Sequence, residues 1–202
     1  MMIEYNNCYH YYFHHTIFFI MDSIELLLTR QSSPQLVAPA PNNTALDTIL
    51  KAGMRVPDHA GLTPWHFTIV AGNSLQTLSD IFVSAYKNQG AAQTKLDKAA
   101  KMPFRAPLII VVSCCISDHK KVPKQEQIIS AGCCAHAMQM AAFALGYGAM
   151  WRTGELAYNT DVKTALGVNT EDEIVGYLYL GTPTKTLPQK QSKNYHHYIS
   201  YL

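Results

Sequence analysis

The segment PLIIVVSCCISDHKKVPKQEQIISAGCCAHAMQMAAFALGYGAMWR, residues 107–152, sets two hydrophobic patterns side by side. Residues 107–116 are an unbroken apolar run rich in Val and Ile, the pattern of a strand covered on both faces. Residues 125–145 have the length of a helix and are apolar almost all round, dense in Ala, Met and Cys. A helix of that kind is buried on every side. In a chain of 202 residues this means a central helix under a sheet, a face covered by a second copy of the chain, or both. Gly146-Tyr147-Gly148 breaks the helix, and residues 149–152 return as a strand.

Upstream, residues 22–29 read as a short amphipathic helix. Asp22 and Glu25 form an N-cap and N3 pair, Met21 and Leu26 can staple across it, and Pro34 lies just beyond its end. Residues 44–52 read as a second helix with Leu46, Ile49 and Leu50 on one face and Gly53 at the left-handed position after it. Residues 55–64 are a polar loop and 65–70 a strand. Residues 74–88 form an amphipathic helix stopped by Gly90, and 92–102 a helix carrying Lys95, Lys98 and Lys101. Downstream, 161–166 is a short helix, and 174–180 an apolar strand ended by Gly181-Thr182-Pro183. Residues 198–202 alternate like a strand after a polar linker, placed to pair with a neighbouring subunit. Helices outweigh four or five strands with no regular βαβ repeat, so the class is α+β.

The length fits one domain, and a compact chain of this size buries about 70% of its unfolded surface. Charged residues are 15% of the chain, against about 25% in an average globular protein. So few charges suggest that part of the surface is hidden against a second copy. The net charge of +2 is too weak to argue for nucleic acid, and no run reaches the ~20 apolar residues of a membrane span. The five cysteines are Cys8 and the adjacent pairs Cys114-Cys115 and Cys133-Cys134. That is no disulfide framework or zinc knuckle, and it reads as buried thiols in a reducing cytoplasm. Residues 1–20 differ in composition and lack a signal peptide's basic start and long apolar run. They read as an extension outside the fold, which starts at Met21 and runs to residue 202 as one domain.

Dinucleotide and phosphate-loop glycine motifs, the nucleophile elbow and the H-E-x-x-H metal pair are all absent. The adjacent histidine pairs lie near the chain ends, and no metal site is indicated. What remains is arginine placement. Arg30, Arg55 and Arg152 each follow a regular element, in a chain with four arginines and three times as many lysines. Arginine gives the planar, two-pronged recognition of phosphate that lysine does not. The alternative is that these arginines cap helix ends and pair with surface carboxylates.

The segments LLLTRQSSPQL, ILKAGMRVPDHAGLTPWHFTIV, FRAPLIIVV, QEQIISAGCCAHAMQMAAFALGYGAMWRTGEL and IVGYLYLGTP together resemble the FMN-dependent nitroreductase family, in its minimal bacterial subgroup of NAD(P)H nitroreductases. The set is specific: Arg-x-Ser, Pro-x-His with Pro-Trp, an Ala-rich helix, and Gly-x-x-Trp-Arg-Thr-Gly. The resemblance implies a mostly antiparallel central sheet flanked by helices in an interlocked homodimer, with FMN in a cleft between subunits. It implies that Arg30, Gln31 and Ser32 meet the ribityl-phosphate. Arg55 and His59 would reach the flavin from the partner subunit. Trp151, Arg152 and Thr153 would meet the isoalloxazine or its phosphate. Ala141, Ala142, Phe143, Ala144, Leu145 and Gly146 would be the stretch associated with nicotinamide, although an apolar helix offers few donors.

The implied activity is hydride transfer from NADH or NADPH through flavin N5 to a nitroaromatic or quinone, in ping-pong order. No side chain acts as nucleophile; His59 is a possible auxiliary donor, with Asp58 as a candidate to hold its tautomer. Larger relatives place a lysine two residues after the serine; this chain has Pro34 there. Two alternatives stay open: a flavin-binding protein with little turnover, or the same fold acting on another acceptor by dehalogenation or flavin destruction.

Overall fold

The computed structural model describes residues 9–13, 16–20 and 22–202. The chain forms two compact units, one of Ser32–Lys185 and one of Met1–Gln31 with Thr186–Leu202.

In the larger unit the strands are β3 (Leu36–Val37), β4 (Trp65–Ala71), β5 (Leu108–Cys114), β6 (Gly148–Arg152) and β7 (Glu173–Pro183). They form one sheet in the order β3-β7-β5-β4, with β6 also on β7. Every pairing is antiparallel. β5 lies between β4 and β7, from Leu108 opposite Ala71 and Leu180 to Cys114 opposite Trp65 and Glu173. All seven of its residues are buried; six are apolar, and Ser113 donates its hydroxyl to the His66 carbonyl at 3.4 Å.

β7 does not stop at Leu180, where its glycine and proline suggested an end. It continues to Pro183 because Gly181 pairs with Gly148 and Pro183 with Leu36. A Cβ on Gly181 would lie 2.7 Å from Pro107 Cδ and 2.9 Å from the Val37 carbonyl oxygen, so glycine here permits close approach of chains.

The helices are α2 (Asn43–Gly53), α3 (Ser74–Asn88), α4 (Gln93–Lys101), α5 (Lys124–Ala144), α6 (Glu155–Tyr158) and α7 (Thr160–Ala165). Alternation along the strands splits the core in two. Leu108, Ile110, Val112, Leu178 and Leu180 pack with Ile49 of α2 and Cys134, Ala135 and Met138 of α5. Ile109, Val111, Tyr177 and Tyr179 pack with Leu78 and Phe82 of α3, Ala99 of α4, Leu156 of α6 and Val162 of α7. Phe82 meets the Tyr177 ring edge-on, centroids 5.4 Å apart. α6 went unread in the sequence because four residues carry no period.

Two expectations are corrected. Gly53 is the last helical residue of α2, with Met54 as the cap, and not a left-handed residue beyond the helix. Its small size serves the crossing of α2 over α5: a Cβ would lie 3.0 Å from Met138 Cγ. α5 is not buried on every side within one chain. Gln127, Ser130, Ala131, Cys134, Ala135, Met138, Gln139 and Ala142 are buried, while Ile129 is 56% exposed.

The smaller unit contains β1 (Tyr9–Phe13) paired antiparallel with β2 (Thr16–Ile20), and α1 (Ser23–Thr29). The expected extension, residues 1–20, lies partly outside the described residues. Its aromatic and β-branched content favours the antiparallel pairing of β1 and β2. Asp22 caps α1, its Oδ1 accepting from Ile24 and Glu25 backbone N–H at 2.9 and 3.1 Å. Met21, the other half of the expected staple, is outside the described residues. Within a single chain residues 198–202 are not a strand: His196–Tyr198 is a short turn, and Tyr198 and Tyr201 are exposed. A strand needs a ladder partner, and the one expected for this tail is a neighbouring subunit.

Candidate active site

Arg30 is the C-cap of α1, its backbone N–H donating to the Leu26 carbonyl at 3.0 Å. The cap position is therefore real, yet the guanidinium does no capping, because its Nη1 is buried with no partner. Beside it, Gln31 Nε2 donates to the carbonyls of Leu187 and Pro188, both at 3.2 Å, and so ties the C-terminal segment to this turn. Ser32 Oγ accepts from Gln139 Nε2 at 3.4 Å, and the Ser33 N–H donates to the Ala149 carbonyl at 2.9 Å. These bonds hold residues 32–33 against the start of β6. Gln139 is a buried polar residue within the apolar second half of α5; that local contrast was the sequence signal for it.

At the far end of β6, Trp151 and Arg152 face opposite sides of the sheet. The Trp151 Nε1–H donates to the Val175 carbonyl at 3.3 Å. Arg152 places its guanidinium carbon 5.5 Å from the centroid of the Tyr179 ring. Burial, and then the nearby cation of Arg105, pushes its pKa below the usual arginine range. Burial pushes the Tyr179 phenol up, against the opposing pull of Arg105 and Arg152. Arg152 Nε is buried and unpartnered. Thr153 is exposed, and Gly154 turns the chain with φ 108°.

Among the described residues, Arg30 Nη1 and Arg152 Nε are the only buried side-chain polar atoms without a partner. Buried donors are rarely left so. The four ion pairs among the described residues use Lys51, Lys95, Lys124 and Lys163, and no arginine. Among the described residues the surface-pairing alternative for the arginines is thus not realised. Arg55 is exposed just after α2.

His59 opens a tight turn, His59–Gly61, in which Ala60 has φ 63° and Gly61 φ 64°; Thr63 follows at φ 47°. Left-handed backbone at non-glycine residues costs about 1–3 kcal/mol each and persists where the surroundings enforce it. Asp58 does so here: its carboxylate accepts from the N–H groups of Leu62 at 3.1 Å and Thr63 at 2.7 Å. It is therefore not the group holding His59. That group is Glu126, in the first turn of α5, whose Oε2 lies 2.6 Å from His59 Nδ1. Sequence reading missed Glu126 because the two residues are 67 positions apart.

Residues 141–146 form the end of α5 and its cap. Gly146 is left-handed at φ 81°; its N–H donates to Phe143, that of Tyr147 to Ala142 and that of Leu145 to Ala141. This is a Schellman closure in which these backbone donors are spent. The stretch offers apolar surface, including Leu145 at 43% exposure, and no N–H for a phosphate. Burial pushes the Cys114 and Cys134 thiols up to about 12, so both stay protonated. Cys115 is exposed and Cys133 half-buried. Among the described residues no helix is long and apolar enough to cross a membrane.

The sequence model of the nitroreductase family matches residues 28–182. The chain is 46% identical over 163 residues, covering 81% of itself and 89% of the relative, to the Escherichia coli (strain K12) protein named "Putative NAD(P)H nitroreductase YdjA". Its fold is similar to that of a nitroreductase-like family protein from Bacillus cereus, with TM-score 0.79, 20% identity, and 90% and 96% of the two chains covered. It is also similar to a point mutant of the FMN and NADPH-dependent nitroreductase NfnB from Sphigopyxis sp. strain HMH, with TM-score 0.68, 15% identity, and 90% and 99% covered. The antiparallel sheet between helical layers, the Arg-x-Ser and Trp-Arg-Thr segments and a match spanning most of the chain agree: this protein belongs to the nitroreductase family.

Proposed function

We propose that this protein is an FMN-dependent oxidoreductase that uses NADH or NADPH to reduce small nitroaromatic or quinone acceptors. The observation that carries this reading is the pair of orphaned guanidinium nitrogens. Each of Arg30 and Arg152 keeps a buried donor unsatisfied by protein, and each stands in a segment that the resemblance assigns to the flavin. A phosphorylated, carbonyl-rich cofactor supplies the acceptors such donors need. The name of the E. coli relative and the FMN and NADPH dependence of NfnB support the same chemistry. When bound, FMN supplies a two-electron carrier between nicotinamide and acceptor, each using the same face in turn.

The chain's own residues bind and orient. Arg30, Gln31 and Ser32 serve the ribityl-phosphate, Gln31 through whatever its carbonyl oxygen offers while its amide holds the tail. Trp151, Arg152 and Thr153 serve the ring system or phosphate. Arg55 and His59 serve the flavin of the partner in a homodimer, which the exposed Ile129 on the central helix favours. Residues 141–146 serve nicotinamide by apolar contact alone. The protein acts in the cytoplasm, and its domain proper begins at Met21.

The test is the visible spectrum of purified protein, followed without oxygen as NADPH and then NADH are added. A flavin spectrum that bleaches supports the reading, and the faster reductant identifies the donor. A flavin spectrum that survives both nucleotides indicates a flavin-binding protein with little turnover. No flavin even after incubation with FMN refutes the cofactor assignment.

A further inference from the structure

We propose that Glu126 is a positioning residue for His59: it fixes the imidazole in the tautomer that carries its proton on Nδ1 and so makes Nε2 the hydrogen-bond acceptor presented to the ligand. Glu126 Oε2 lies 2.6 Å from His59 Nδ1. An ionised carboxylate only accepts, so the proton between them belongs to the ring nitrogen. The other nitrogen of a neutral ring is then a lone-pair acceptor.

The surroundings are built for this. A half-exposed carboxylate–imidazole contact, with side chains 54% and 46% exposed, adds little to stability and needs no organised loop. Here the loop is organised. The Asp58 carboxylate bridges two backbone N–H groups, and Ala60, Gly61 and Thr63 hold left-handed conformations around it. The loop fixes the root of His59, and a rigid helix fixes its ring through Glu126. Asp58 is the nearer acid in sequence, but its oxygens are already committed.

The consequence deepens the function proposed above and rests on it. A neutral Nε2 acceptor recognises a donor. FMN carries donors in its ribityl hydroxyls and its ring N3–H, and none in its ionised phosphate. His59 therefore reads the hydroxyl-bearing chain or the ring edge, not the phosphate. The auxiliary-donor role expected for His59 is available only to the doubly protonated ring.

The experiment is two-bond 1H–15N correlation NMR of the histidine-labelled full chain, at a pH where imidazole is neutral, with His59 assigned through His59→Gln. The wild type is expected to show the Nδ1–H form. Glu126→Ala should move the population toward Nε2–H, the form that an unconstrained histidine side chain prefers, and Glu126→Gln, whose amide oxygen still accepts, should keep Nδ1–H. An Nε2–H ring in the wild type, which needs no variant to observe, overturns the proposal. So does a tautomer unchanged in Glu126→Ala. FMN titration by flavin fluorescence is the second readout. Glu126→Ala should bind FMN about three- to tenfold more weakly, the effect of one hydrogen bond, and Glu126→Gln should recover most of it. Equal affinity in all three proteins overturns the ligand role. If the wild type itself binds no FMN, the function proposed above has failed, and the tautomer result still decides whether Glu126 positions His59.

Discussion

The indole of Trp151 occupies the space that a side chain on Gly176 would need. A Cβ at Gly176 would overlap Nε1 and lie 2.6 Å from Cδ1 and 2.9 Å from the Arg152 carbonyl oxygen. β7 is thus left bare at one residue so that β6 can lay its tryptophan across it and send the next residue, Arg152, to the opposite face. Gly176→Ala forces the indole or the strand to move. Overpacking of this kind costs about 1–3 kcal/mol. At roughly 2–4 °C per kcal/mol for a chain of this size, Tm should fall by about 2–12 °C. Flavin content should fall with it, because Trp151 and Arg152 move together. Calorimetry and the flavin-to-protein ratio measure both, and an unchanged Tm means that the indole does not depend on this gap.

The layered core was legible because its strands are extreme. β5 is buried on both faces, and all of its residues but Ser113 are apolar. The end of α5 was legible because Gly146 carries the positive φ its closure needs. Gly53 was misread for the complementary reason: glycine is also used where another element comes close, and sequence does not name that element. The tail at 198–202 has a strand's alternation, but alternation does not supply a partner. At the site, the arginines stood out by type and position, whereas their unsatisfied state is a fact of three-dimensional burial. The Glu126–His59 bond was invisible because it joins a helix start to a loop far away in sequence.

Arg30→Ala removes one of the two orphaned buried donors. A hydrogen bond to a charged group contributes about 1.5–3 kcal/mol, so FMN should bind roughly ten- to a hundredfold more weakly. The apoprotein should be no less stable, because the lost nitrogen had no protein partner to abandon. Fluorescence titration and apoprotein melting test the two halves separately; full retention of flavin through purification removes Arg30 from the site.

Removal of residues 1–20 should leave both fold and flavin content intact, since Asp22 alone caps α1. Circular dichroism and the flavin absorbance of the shortened chain check this. Loss of either property shows that the hairpin is part of the domain.

Glu173 gives the molecule an acid-sensitive clasp. Its carboxylate accepts from Lys163 at 2.8 Å and Lys124 at 2.9 Å, tying the start of β7 to α7 and α5. Burial pushes its pKa up, but the hydrogen bonds and charges of the two lysines outweigh burial and hold it below the usual carboxylate range. A lowered native pKa contributes stability above the unfolded value of about 4.3, and that stability is lost as pH falls through the native value. Glu173→Gln should therefore lower the urea midpoint near neutral pH, and by less at a pH acid enough to protonate the native carboxylate. An equal loss at both pH values assigns the effect to packing and not to charge.

Ile129 distinguishes a chain that works alone from one that works in pairs. It is 56% exposed on α5, whose opposite face is buried in the chain's own core. In a lone chain, Ile129→Asp changes a wet surface position, where substitutions usually stay within about 0.5 kcal/mol. In a homodimer that covers this face, the same change buries a carboxylate without a partner, and removing an ion from water costs several kcal/mol. The variant should be a folded monomer by light scattering where the wild type is a dimer. It should also lose FMN, although no flavin-assigned residue has been altered, because Arg55 and His59 would no longer reach the partner's site. A variant that stays dimeric moves the interface elsewhere. One that becomes monomeric yet keeps its flavin confines the site to a single chain.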